Sequence, residues 1–276
     1  MEKSMSYASL LKKANISYLG NTRQSAKLTY SYNKGVETYG IYLAPATLAR
    51  DEKHPHLNTC PCSQVCARFC LNGAGHNKCA TLHENFKQFS KIDKARIKKT
   101  HLFYDDKETF MELLIHELKR AKRHAEKNGM GFAVRLNCTS DISLEQFIYK
   151  GKNILEIFPN VQFYDYTKVP RHLHLVDKYD NLFIVFSYDG SNWNIAENYL
   201  KRKGNVAVVF DMYDENGKQI IPTEWRGYKV IDGNNTDTRH LDNGRGVIVG
   251  LHYHKVANDY KSGEYVEEKS PFVVRD

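Results

Sequence analysis

Leu182-Phe-Ile-Val-Phe-Ser187 and Asn205-Val-Ala-Val-Val-Phe210 are two almost wholly apolar runs of six residues. Between them, Ile195–Arg202 reads as a short helix ended by Gly204. A strand that is apolar throughout has no polar face, so it must be covered on both sides. Two such strands joined through a helix predict a parallel β-α-β unit. The same alternation extends outward in both directions. Gly40-Ile41-Tyr42-Leu43-Ala44-Pro45, Phe132–Asn137, Val161–Tyr166, Tyr228–Ile231 and Gly246–Gly250 read as further strands. Helices are expected around 79–99, from Thr109 to Asn128-Gly129, and from Ser143 to Phe158. The second has an apolar stripe at Phe110, Leu114, Leu118 and Ala121. Thr109 and Glu112 have capping-box spacing at its start. The fold expected is α/β with a mainly parallel sheet, shaped as a partial (β/α) barrel. A doubly wound open sheet is the alternative, weakened by the lack of a dinucleotide glycine fingerprint.

The chain has 276 residues, 41% hydrophobic and 26% charged, the composition of a globular protein. Its 40 Lys+Arg against 32 Asp+Glu give a net charge of +8. This permits a polyanionic partner without requiring one. No apolar run is long enough to span a membrane, no apolar segment near Met1 resembles an export signal, and no repeat recurs. A cytoplasmic location is expected. Residues 1–36 hold Lys3, Lys12, Lys13, Arg23, Lys27 and Lys34 against Glu2 alone. They are expected to form a basic arm, at most partly ordered, before a single α/β domain at 37–276. Further basic residues lie at Lys91–Lys99 and Lys119–Arg123. Such faces suit either solvent or nucleic-acid phosphates.

Five of the six cysteines fall between Cys60 and Cys79, within a Cys-rich loop at 58–79, and the sixth is Cys138. In a reducing compartment, clustered thiols read as metal ligands before they read as disulfides. Cys60, Cys66 and Cys70 are spaced C-x5-C-x3-C, with Cys62 inserted. That irregular spacing suits an iron–sulfur cluster (4Fe-4S) at least as well as zinc. His54, His56, His76 and His83 flank the loop as possible further ligands. Asn72 and Gly75 follow in Leu71-Asn-Gly-Ala-Gly75, where small residues allow close backbone approach to a ligand. Polar residues close several strands: Arg135 and Asn137, Asp165 with Lys168, and Asp232. Sites in parallel α/β folds gather at such carboxyl ends. A buried Arg135 needs an anionic partner, either Asp141, Asp165 or a ligand. His172-Leu-His174 has the spacing of a nickase-type metal pair. It follows Pro170 outside any central strand and is therefore read as coincidence.

Several stretches taken together resemble the phage "gene product 88" family. They are Tyr42–Thr47, the cysteine run at 60–75, Val134-Arg-Leu-Asn-Cys-Thr-Ser-Asp141, Phe158–Lys168, Asn205–Phe210, Val230–Gly233 with Thr236-Asp237, and Gly246–Leu251. The family carries no known activity. Its cysteines after the first strand resemble the layout of radical S-adenosylmethionine enzymes, although those use C-x3-C-x2-C. The resemblance implies Cys60, Cys66 and Cys70 as cluster ligands, with one iron left open. It implies Asn72, Gly75, Arg135, Asn137 and Asp141 as contacts for S-adenosylmethionine. Lys168, Asp165 and Asp232 would then stand near an unknown substrate. The alternative function is a non-catalytic, metal-stabilised protein that binds nucleic acid through its basic arm.

Overall fold

The computed structural model describes residues 5–22, 26–70, 89–254 and 270–275. Its centre is a ten-stranded sheet. The strands, in chain order, are β1 (Gly20–Asn21), β2 (Val36–Ile41), β3 (Gly131–Arg135), β4 (Gln162–Thr167), β5 (Leu182–Ser187), β6 (Asn205–Phe210), β7 (Glu224–Trp225), β8 (Tyr228–Asp232), β9 (Ile248–His252) and β10 (Val273–Val274). Across the sheet they run β1-β2-β3-β4-β5-β6-β9-β8-β7, with β10 paired to β6 just beyond the end of β5. Only the edge pairs β1–β2 and β7–β8 are antiparallel.

From β2 to β6 every strand lies beside its predecessor and parallel to it. Right-handed crossovers that all step one way place their helices on a single face. That face carries the main core. Val134, Ile184, Val206 and Phe210 of the strands pack there with Phe110, Leu114 and Leu118 of the helix Lys107–Lys127. The alternate residues Ala133, Tyr164, Val185, Ala207 and Val249 point to the other face, in two small clusters. The expected barrel does not close. β9 inserts between β6 and β8, reversing the direction of growth, and each end of the sheet finishes in an antiparallel pair. The result is an open sheet with one helix-covered face and one thinly covered face.

The helices are α1 (Tyr7–Ala14), α2 (Ala26–Asn33), α3 (Lys91–Asp105), α4 (Lys107–Lys127), α5 (Ile154–Ile157), α6 (Leu175–Lys178) and α7 (Trp193–Lys201). α4 starts earlier than its capping-box spacing implies. Asp106 accepts from the Thr109 amide and hydroxyl, so Thr109 is the capped residue and not the cap. The helix expected at 143–158 is broken into a 3-10 turn, a hairpin and the short α5. Lys150 and Gly151 both take positive φ, the requirement of a two-residue hairpin turn, and this interrupts the helical run. The strand expected at Gly40–Pro45 is β2, which ends at Ile41; residues 43–46 are buried but belong to no ladder.

The described part of the basic segment, residues 5–22 and 26–36, packs on the rest of the fold. Ser6 caps α1, and Leu10, Leu19 and Leu28 are buried. Glu117 of α4, itself buried, holds this segment to the sheet. It accepts from the amides of Leu19 and Gly20 at 2.8 Å each, from Tyr7 Oη at 2.7 Å and from Tyr39 Oη at 2.5 Å. Lys13 pairs with Asp106 at 2.8 Å.

Candidate functional site

The carboxyl ends of the parallel strands open onto one cavity of about 500 Å³. β3 and the loop after it bring Arg135, Cys138 and Asp141; β4 and the residue after it bring Tyr166 and Lys168; β9 brings Leu251 and His252. The segment after β2 closes the cavity with Tyr42 and with Cys60, Cys62, Cys66 and Cys70. Phe272, just before β10, forms part of the far wall.

The cysteine loop is anchored at its start. Buried Thr59 donates its hydroxyl to the Ala44 carbonyl at 2.6 Å, and its own carbonyl accepts from the Asp141 amide at 2.8 Å. Cys60 Sγ accepts from the Ala46 amide at 3.3 Å. A 3-10 turn over Cys66–Phe69 starts at one further thiol, Cys66, and ends against another, Cys70. Burial pushes the Cys60 thiol up to about 12, and burial does the same to Cys138. Such thiols stay neutral until a bound cation stabilises the thiolate. Among the described residues no three thiol sulfurs lie within 4.8 Å of one another. Cys79, His76, His83, Asn72 and Gly75 lie outside the described residues.

Arg135 meets the expectation of an anionic partner. Its Nη1 donates to Asp237 at 2.6 Å, its Nε lies 3.8 Å from Asp165, and its guanidinium sits over the Tyr166 ring at 4.6 Å. Arg135 Nε and Tyr166 Oη are buried with no hydrogen-bond partner among the described residues, although both residues line the cavity. Orphaned polar atoms in a cavity wall fit a polar ligand. Asp141 joins two strand ends. It accepts from Thr167 Oγ1 at 2.7 Å and from the Lys168 amide at 2.9 Å, and His172 Nδ1 lies 3.4 Å away. Lys168 lines the cavity with its ammonium 5.2 Å from the Phe272 ring centre.

Three expected site residues have other duties. Asn137 lines the cavity, but its side chain is bonded to its own loop and to Asp165. It donates to Ile142 O and Asp165, and accepts from Ser140 Oγ and the Ile142 amide. No hydrogen-bonding capacity is left for a cofactor. Asp165 does not line the cavity; it is buried beneath it, and burial raises its carboxyl to about 7. It supports Arg135 and Asn137. Asp232 is exposed and organises the following turn through Asn234 and Asn235, and of these three only Asn234 reaches the cavity. His172 is buried and turned toward Thr167, whereas His174 is exposed, so the pair does not converge on one ion.

Sequence reasoning missed Cys138, Tyr42, Tyr166 and Asp237. Cys138 and Tyr166 follow the same strand-end rule that selected Arg135. Asp237 lies on a loop a hundred residues from its partner and has no local signal. The basic residues read as a phosphate-binding face are partly committed inside the fold. Buried Lys99 sits over the Tyr18 ring at 4.2 Å, and Arg96 lies 5.5 Å from the Tyr42 ring centre.

These features define an open, mainly parallel α/β protein with a thiol-lined cavity at the carboxyl edge of its sheet. The family model for Gene product 88 matches residues 9–268, and the chain belongs to this phage family. No curated protein and no solved structure matches it. No described helix is long and apolar enough to cross a membrane.

Proposed function

We propose that this chain is an iron–sulfur enzyme of radical S-adenosylmethionine-like type, with Cys60, Cys66 and Cys70 as cluster ligands. The observation that carries the reading is convergence. Those three thiols line the same cavity as Arg135, Asp141 and Lys168, at the carboxyl ends of parallel strands. The donor set fits. Soft thiolates suit iron–sulfur clusters as well as zinc. The strand order from β2 to β6, advancing one way, is also the order of a partial barrel.

A bound cluster supplies one-electron chemistry that side chains lack. The protein's own part is binding and orientation. Arg135, fixed by Asp237 and stacked on Tyr166, presents a positive charge to a carboxylate or phosphate of the cofactor or substrate. Asp141 fixes the Lys168 backbone, so that its ammonium enters the cavity from a set position. Tyr42, Leu251 and Phe272 line the cavity with ring and aliphatic surface. Such walls lower the local dielectric and strengthen those charge contacts.

Single substitutions test the ligand set. In anaerobically purified protein, Cys60→Ser, Cys66→Ser and Cys70→Ser should each remove most of the bound iron, because a hydroxyl is a poor ligand for it. Cys62→Ser should retain most of it. Cys138→Ser should retain it as well, since Cys138 Sγ packs against Gly40 and contacts the Arg135 carbonyl at 3.7 Å. Equal iron in all five variants would reject the assignment.

A further inference from the structure

We propose a second metal site, for a divalent first-row transition ion such as zinc or ferrous iron, formed by Asp51, His54 and His101. It does not rest on the cluster reading, and none of the three residues lines the thiol cavity. Their ligating atoms all lie within 4.8 Å of one another. His54 Nδ1 is 2.8 Å from Asp51 Oδ1, and His101 Nε2 is 3.6 Å from Asp51 Oδ2. Nitrogen and oxygen donors on one tetrahedral ion, with bonds of about 2.0–2.1 Å, stand about 3.3 Å apart. The two separations, one to each Asp51 oxygen, lie on either side of that spacing.

The surroundings add what an isolated cluster of polar side chains would lack. His54 Nε2, the nitrogen turned away from Asp51, bonds Asp105 Oδ1 at 2.9 Å. Asp105 is held in turn by Lys53 at 2.8 Å. A carboxylate behind a ligating histidine fixes the ring and its tautomer, the usual support of a histidine–metal bond. α3 supplies both His101 and Asp105, one turn apart on the same helix face. His101 Nε2 now donates to the Ala49 carbonyl at 2.7 Å, a hydrogen bond that ligation through the same nitrogen would replace.

His54 faces a carboxylate with each ring nitrogen, Asp51 through Nδ1 and Asp105 through Nε2, and its ring stacks on His101 with centroids 4.6 Å apart. The ion would then fasten the loop before the cysteines to α3, where Ala49 and Leu57 already share a small apolar cluster with Ile97. The two-histidine, one-carboxylate donor set selects borderline divalent ions and leaves further positions to water.

Cobalt(II) titration of the full chain under anaerobic conditions tests this. The expected result is a weak visible band, saturating at one equivalent, with no thiolate-to-cobalt charge-transfer intensity. That band should persist in Cys60→Ser and vanish in His101→Gln, which retains a donor for the Ala49 carbonyl. Asp105→Asn should weaken binding by about 10–100-fold. Circular dichroism of His101→Gln separates lost ligation from lost folding. If His101→Gln unfolds, Asp51→Asn replaces it as the ligand variant, with the same loss expected. A titration showing only thiolate bands, or a visible band unchanged in the folded ligand variant, would overturn the proposal. Loss of iron in the cysteine variants is a separate readout and leaves this one unaffected.

Discussion

Glu117→Ala should lower the stability of this protein by about 4 kcal/mol or more. The carboxylate accepts four hydrogen bonds, two from backbone amides and two from tyrosine hydroxyls, in a position sealed from solvent. Each buried donor left without an acceptor costs roughly 1–3 kcal/mol. At about 2–4 °C per kcal/mol for a chain of this size, the thermal midpoint should fall by roughly 8–16 °C. The damage should be directional. α1 and β1 lose their main polar tether, so limited proteolysis should first cut near residues 5–22. Glu117→Gln keeps the shape but turns part of the acceptor into a donor, and should cost less. A denaturant midpoint for Glu117→Ala that moves by less than about 1 kcal/mol would show that water replaces the carboxylate.

Arg135→Met should be the next most damaging change, at about 3–5 kcal/mol. Removing one partner of a buried ion pair strands the other charge, and here Asp237 and Asp165 both face the lost guanidinium. Methionine preserves much of the packing against Tyr166, so the loss reports charge and not volume. The double variant Arg135→Met/Asp237→Asn should recover part of the stability, because the amide leaves no uncompensated charge. Equal midpoints for the single and double variants would mean that Asp237 does not depend on Arg135. Chemical denaturation of both, followed by circular dichroism, distinguishes the outcomes.

The strand–helix alternation was legible because buried parallel strands cannot hide their composition: 182–187 and 205–210 are strands in the structure with those bounds. The gathering of Arg135, Asp141, Lys168 and the cysteines followed from the geometry of parallel sheets, in which strand ends converge. Long-range pairing was not legible. The insertion of β9 between β6 and β8 changes no local pattern, yet it decides that the sheet stays open. Asn137 does line the cavity, but the sequence does not tell that its side chain is held by Ile142, Ser140 and Asp165. The basic N-terminal segment misled in the opposite direction. Its lysines dominate the composition, while its position is set by three leucines and a glutamate a hundred residues away. The Asp51–His54–His101 group needed the fold to bring α3 against the loop before the cysteines.

Whether the thiol-lined cavity holds an iron–sulfur cluster is decided by iron and acid-labile sulfide analysis of the anaerobically purified protein, combined with electron paramagnetic resonance after reduction. The expected result is brown protein with about four irons and four sulfides per chain, and a cluster signal that Cys60→Ser abolishes. Colourless protein that carries stoichiometric zinc and no sulfide would rule the cluster out.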